Sequence, residues 1–172
     1  MTIRVGEHPV TLDDLVRLAR QGEMVELAPA ARERVVAART LVERLAAMPE
    51  PIYGVNSALG ANTGAPLAPD DFAEYQLRAI RARAVGVGPP YDRESVRAML
   101  FARIAGMAQG GSGVSLSVLE GLCEFVNRDI VPVVPVIDVS VDIVVLLYVD
   151  ELSVTTAPVS VTLLLIVSLL QA

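Results

Sequence analysis

The chain changes character once, and sharply. No glycine follows Gly121 and no basic residue follows Arg128. Residues 136–172 hold four acids, Asp138, Asp142, Asp150 and Glu151, among Val, Leu and Ile. A shift this sharp marks a separate element, a membrane segment, or a sequence that does not belong to the preceding fold. The sequence therefore divides into residues 1–135 and an anomalous Val/Leu-rich tail, residues 136–172. The tail carries four of the six net negative charges, and the first 135 residues are close to balanced.

Before the break the pattern is helical. Residues 3–5 suit a short strand ended by Gly6. Thr11 suits a helix N-cap with Asp13 and Asp14 in the favourable first turn, and Gly22 suits its end. Residues 24–27 form a second strand candidate. Pro29 fits a first helical turn. Val35, Ala38, Leu41, Val42, Leu45 and Met48 then recur at helical spacing up to Pro49 and Pro51. Residues 53–69, with three glycines and two prolines, read as an exposed loop. A helix starting at Asp70 or Asp71 carries Glu74 and Arg78 as an i,i+4 pair, and Gly86, Gly88, Pro89 and Pro90 stop it. Val96, Leu100, Ile104 and Met107 mark the next helix, closed by Gly110, Gly111 and Gly113. Ser117 with Glu120 reads as a capping box for a helix with Leu119, Leu122 and Val126 on one face.

The tail switches period. Ile137, Val139, Val141 and Ile143 alternate with Asp138, Ser140 and Asp142, and Val159, Val161 and Leu163 with Ser160 and Thr162. Alternation of this kind belongs to a strand. The uncharged run 152–172 has the length of a membrane span, but its serines, threonines and Pro158 interrupt it and no base flanks it. A buried strand or helix is the expected state. The fold class is mainly α, with short N-terminal strands and an apolar, strand-patterned C-terminal tail.

Composition excludes several chemistries. There is no lysine, one histidine (His8) and one cysteine (Cys123). Schiff-base and Walker A chemistry are excluded, an internal disulfide is impossible, and a Cys/His metal site is not expected. Net acidity argues against a nucleic-acid partner. Residues 1–7 lack the apolar core of a signal peptide. Low cysteine content fits a cytoplasmic protein.

Few residues stand out chemically. Gly86-Val87-Gly88 lacks the third glycine of a dinucleotide fingerprint and reads as a helix stop. Gly111-Ser112-Gly113 fails the nucleophile-elbow pattern at Val114 and reads as a turn. Arg78, Arg81 and Arg83 form a basic cluster, with Arg97 and Arg103 on the following helix. Such arginines form a solvated face or pair with acids such as Glu74 and Glu94, or one of them clamps a substrate carboxylate. Tyr53, in a glycine-rich loop, is either an anchoring aromatic or a general base.

Several motifs in order resemble the aromatic amino acid ammonia-lyases, the histidine, phenylalanine and tyrosine lyase family. Tyr53-Gly54-Val55-Asn56-Ser57-Ala58-Leu59-Gly60 is similar to that family's Tyr-Gly-Val-Asn-Thr-Gly-Phe-Gly loop. Residues 76–88 resemble its helix ending in Gly-Val-Gly. Residues 97–114 resemble its arginine-containing helix ending in Gly-x-Ser-Gly. Pro132-Val133-Val134-Pro135 resembles the approach to its electrophile. The resemblance spans residues 3–135, so the chain reads as an N-terminal portion of such a protein.

The resemblance implies non-oxidative elimination of ammonia from an aromatic amino acid, in a helix-rich homo-oligomer whose active sites combine several chains. It makes Tyr53 the catalytic base and places Asn56, Gly60 and Arg83 on the substrate side. Arg83 stands where histidine-type and tyrosine-type members place a selectivity histidine. In the family an internal Ala-Ser-Gly forms a methylidene-imidazolone electrophile. Here the corresponding stretch reads Asp138-Val139-Ser140-Val141-Asp142, and no Ala-Ser-Gly occurs anywhere. No cofactor is therefore expected, and the short chain is expected to be inactive alone. The alternative is a non-catalytic, degenerate relative serving as a binding or structural subunit.

Overall fold

Two parallel strands open the fold. In the computed structural model, which describes residues 1–58, 67–83 and 86–137, β1 (Thr2–Val5) pairs with β2 (Met24–Leu27) in the register Ile3 to Val25 and Val5 to Leu27. Parallel neighbours need a crossover, and helix α1 (Leu12–Gln21) supplies it. Both strands alternate, with Ile3, Val5, Val25 and Leu27 buried.

The expected caps set the boundaries of α1. Thr11 Oγ1 accepts from Asp14 N at 3.1 Å, and Asp14 Oδ2 accepts from Thr11 N at 2.9 Å, a reciprocal capping box. Gly22 closes the helix at φ 71°, and its N–H donates to the Arg17 carbonyl. Helix α2 (Pro29–Ala46) opens on Pro29. Its first half buries Ala31 and Val35, whereas Leu41 and Met48 stay about half exposed.

A 3₁₀ turn (Pro69–Asp71) leads into α3 (Phe72–Arg83). Asp92 caps α4 (Arg93–Met107) by accepting from Ser95 N at 2.9 Å. Helix α4 packs on α1 and on α5 (Leu116–Asn127), and α5 packs on β2 and α2. Leu18, Val25, Val35, Leu100, Phe101, Ile104, Leu119 and Leu122 form the centre of the core. The α4 and α5 faces are those the apolar spacing assigns.

Two local expectations are corrected. The N-cap of α5 is Ser115, whose Oγ accepts from Val118 N at 3.4 Å. Ser117 lies inside the helix, and Glu120 pairs with Arg32 of α2 rather than closing a box. Residues beyond Gly86 are more than a helix stop. Val87–Pro90 is a strand, β3, antiparallel to β4 (Pro135–Ile137), with Tyr91 N donating to Val134 O at 2.8 Å. The prolines on both strands limit the ladder, as expected for edge pairing. The rest of the strand pattern expected in the tail, and its membrane-span alternative, lie outside the described residues. Among the described residues no helix is long and apolar enough to cross a membrane.

Candidate active site

After α2 ends, the chain folds back on itself around Tyr53. The side-chain amide of Asn56 makes this possible. Its Nδ2 donates to Met48 O at 2.8 Å and to Glu50 O at 3.0 Å, and its Oδ1 accepts from Ile52 N at 2.6 Å. The Ile52 carbonyl in turn accepts from Val55 N (3.0 Å), Asn56 N (3.2 Å) and Ser57 Oγ (3.2 Å). Both backbone polar groups of the residue before Tyr53 are therefore held by residues 55–57. Gly54 supplies the left-handed step at φ 71° that lets so tight a turn form. Leu67 N donates to Asn56 O at 2.7 Å and ties the return of the loop to the same point.

Burial separates the tie from what it carries. Asn56 and Ser57 are 1% and 3% exposed, whereas Tyr53 is 53% exposed. The turn hides its polar fasteners and presents the phenol at the surface. Ser57, which the sequence offered only as a replacement in a family-like loop, is one of those fasteners. A small hydroxyl residue one place after Asn56 was the signal available.

The other sequence-derived site residues are placed less fully. Gly60 lies outside the described residues. Arg83 is the last residue of α3, and its side chain is outside the described set. Arg78 makes an exposed ion pair with Glu74 at 3.6 Å, as the i,i+4 spacing suggests. Arg97 is not free to clamp a substrate, because it is 2% exposed and its donors are committed. They reach Leu18 O (2.9 and 3.3 Å), Val126 O (3.1 Å) and Asp129 Oδ1 (2.8 Å). Nor does it pair with Glu94, which Arg20 takes at 2.5 Å. Arg103 is partly buried, and burial pulls its guanidinium below the ordinary value. Its Nε has no hydrogen-bond partner among the described residues.

Gly111-Ser112-Gly113 forms the expected turn between α4 and α5, with Gly111 and Ser112 exposed and Gly113 buried at φ 65°. A cleft of about 600 Å³ lies elsewhere, between the β1–α1 connection and the end of α4, and includes His8, Arg34 and Gln109. Among the described residues, no sequence-derived site residue lines it. Among the described residues no cluster of His, Cys, Asp and Glu could hold a metal ion.

The model for the aromatic amino acid lyases matches residues 10–161. The chain belongs to the aromatic amino acid lyase family. This lyase-family chain is 41% identical over 133 residues to histidine ammonia-lyase of Streptomyces griseus, covering 77% of the chain and 26% of that relative. It is 38% identical over 129 residues to histidine ammonia-lyase of Deinococcus radiodurans, covering 75% and 25%. Among solved structures, it superposes on ergothionase from Treponema denticola with a TM-score of 0.75 and 30% identity, over 78% of this chain and 27% of that one. Histidine ammonia-lyase from Trypanosoma cruzi gives a TM-score of 0.70 and 27% identity, over 78% and 26%. The lyase-family chain thus spans about a quarter of the length of the curated relatives it matches. The sequence contains no Ala-Ser-Gly tripeptide.

Proposed function

We propose that this chain carries the base of an ammonia-lyase acting on an aromatic amino acid, and that as it stands it cannot complete the reaction. The carrying observation is the exposed Tyr53 at the apex of a family-type turn whose fasteners are buried. Histidine is the first substrate to test, because the relatives quoted above bear the name histidine ammonia-lyase.

The reaction sets two difficulties. A weakly acidic proton must leave the carbon next to the ring, and the amine must depart as a poor leaving group. A tyrosine phenolate can take that proton. The electron pair then forms the carbon–carbon double bond while the carbon–nitrogen bond breaks and ammonia leaves. Tyr53 addresses only the first difficulty. The second needs an electrophile that this sequence does not encode in the family's way.

On the substrate side the reading keeps Gly60 and Arg83 as candidates beside Tyr53. It includes self-association, supported by the apolar side chains of Val36, Leu41 and Met48, each left about half exposed. Sedimentation showing a clean monomer at high concentration contradicts that part. A cytoplasmic setting and the absence of a nucleic-acid partner complete the reading, on the single cysteine and the net acidity. The missing Ala-Ser-Gly favours a second reading, a non-catalytic relative that binds a partner.

One experiment separates the two. Residues 138–172 are replaced by a full family-type continuation, and aryl-acrylate formation is followed with histidine, phenylalanine and tyrosine. The lyase reading expects turnover, lowered about a hundredfold or more by Tyr53→Phe. Turnover that is indifferent to Tyr53→Phe contradicts it. Absence of turnover in a folded protein supports the non-catalytic relative.

A further inference from the structure

We propose that Asn56 is a positioning residue for Tyr53, and that it does not contact substrate. The inference rests on reading Tyr53 as the base.

A substrate-binding amide needs a free donor or acceptor facing an open site. Asn56 has neither on offer. Its two N–H donors go to the carbonyls of Met48 and Glu50, and its oxygen takes the N–H of Ile52. With 1% of its surface exposed, no ligand reaches what remains. The amide performs a different task. Three backbone groups just beyond the end of α2 would otherwise lack a regular partner, and one side chain gathers them.

The consequence falls on Tyr53 because of where the bonds land. Ile52 is fixed at both its N–H and its carbonyl by residues 55–57. Tyr53 and Gly54 lie inside the closed ring, so the Tyr53 backbone cannot reorient without breaking an Asn56 or Ser57 bond. A general base must lie within hydrogen-bond reach of the proton it takes. Misplacement of about 1 Å can cost two orders of magnitude in rate. Asn56 joins the exposed phenol to the end of α2, an element anchored in the core through Ala31 and Val35.

The test follows Tyr53 itself in the full chain. The four tyrosines are labelled as 3-fluorotyrosine, and the Tyr53 fluorine signal is assigned with Tyr53→Phe. In Asn56→Ala the Tyr53 signal is expected to move to the shift and width of a disordered tyrosine, while the other tyrosine signals stay in place. Amide exchange at Ile52 is expected to accelerate about tenfold or more, with exchange at Leu100 and Leu122 unchanged. Asn56→Asp keeps the acceptor for Ile52 but loses both donors, and should move the signal as Ala does. Ser57→Ala removes one of three bonds to the Ile52 carbonyl and should move it less. An unmoved Tyr53 signal in a folded Asn56→Ala protein overturns the proposal.

If Asn56→Ala does not fold, the unmodified chain decides. The Asn56 side-chain NH₂ protons are expected to exchange slowly, and exchange at the rate of a free amide overturns the proposal. Neither measurement uses turnover, so a failure of the lyase reading and a failure of this one give different results.

Discussion

Asn127, the last residue of α5, pairs with the backbone of Val25 as a neighbouring strand would. Its Oδ1 accepts from Val25 N at 2.8 Å, and its Nδ2 donates to Val25 O at 2.9 Å. β2 thus has β1 on one side and a side-chain amide on the other. Asn127→Ala leaves two partly buried backbone groups unpaired, and the expected loss is about 2 kcal/mol. In urea unfolding the midpoint should fall with an unchanged slope. An unchanged midpoint contradicts the pairing.

Asp129 stands at φ 58° and bridges Arg93 and Arg97. The Arg93 hydrogen bond, with help from the charges of both arginines, holds its carboxyl below the ordinary value. A carboxylate whose pKa is lower in the folded state stabilises above its unfolded pKa of about 3.9, and that contribution fades as pH falls through the lower, folded value. The parent should therefore be more stable than Asp129→Asn near neutrality, and the gap should close below about pH 4. Melting temperatures of both proteins across pH check this. The side chain is about half exposed, so the gap at pH 7 should be modest and shrink in salt.

Two left-handed glycines should respond differently to alanine. At Gly6, φ is 90° and an added Cβ would lie 2.4 Å from the Ala31 Cβ on α2. At Gly22, φ is 71° and the space is open. Gly22→Ala should cost about 1 kcal/mol, from backbone strain alone. Gly6→Ala adds a clash in the core and should cost about 3 kcal/mol. Equal effects in denaturant unfolding would show that α2 yields at Ala31.

Burial pushes the Cys123 thiol up to about 12. The native protein should hardly react with a thiol reagent at pH 8, and reaction should appear with unfolding. A rapid native reaction contradicts the packing of α5 against the core.

These contacts mark where sequence reading succeeds and where it stops. Thr11 with Asp14, Gly22 and Pro29 act on their own helices, so local spacing revealed them. Ser117 with Glu120 imitates a capping box, but Arg32, 88 residues away, takes the glutamate, and no local pattern signals that. Val87–Pro90 looks like punctuation because its strand character depends on a partner at Pro135–Ile137. Arg97 looks like one more surface cation until the carbonyl ends of α1 and α5 converge on it. The loop motif singled out Tyr53, which the fold leaves about half exposed. The inward bonds of Asn56 were not legible, because they depend on where the chain leaves α2.

The most direct test of the central claim is aryl-acrylate absorbance when the purified, unmodified chain is incubated with histidine, phenylalanine or tyrosine. The claim is that this lyase-family chain presents Tyr53 as a base without the means to form the family's electrophile. It predicts no turnover, and a trace indistinguishable from that of Tyr53→Phe. Robust turnover that Tyr53→Phe abolishes would contradict it, and would require an electrophile built from residues other than Ala-Ser-Gly.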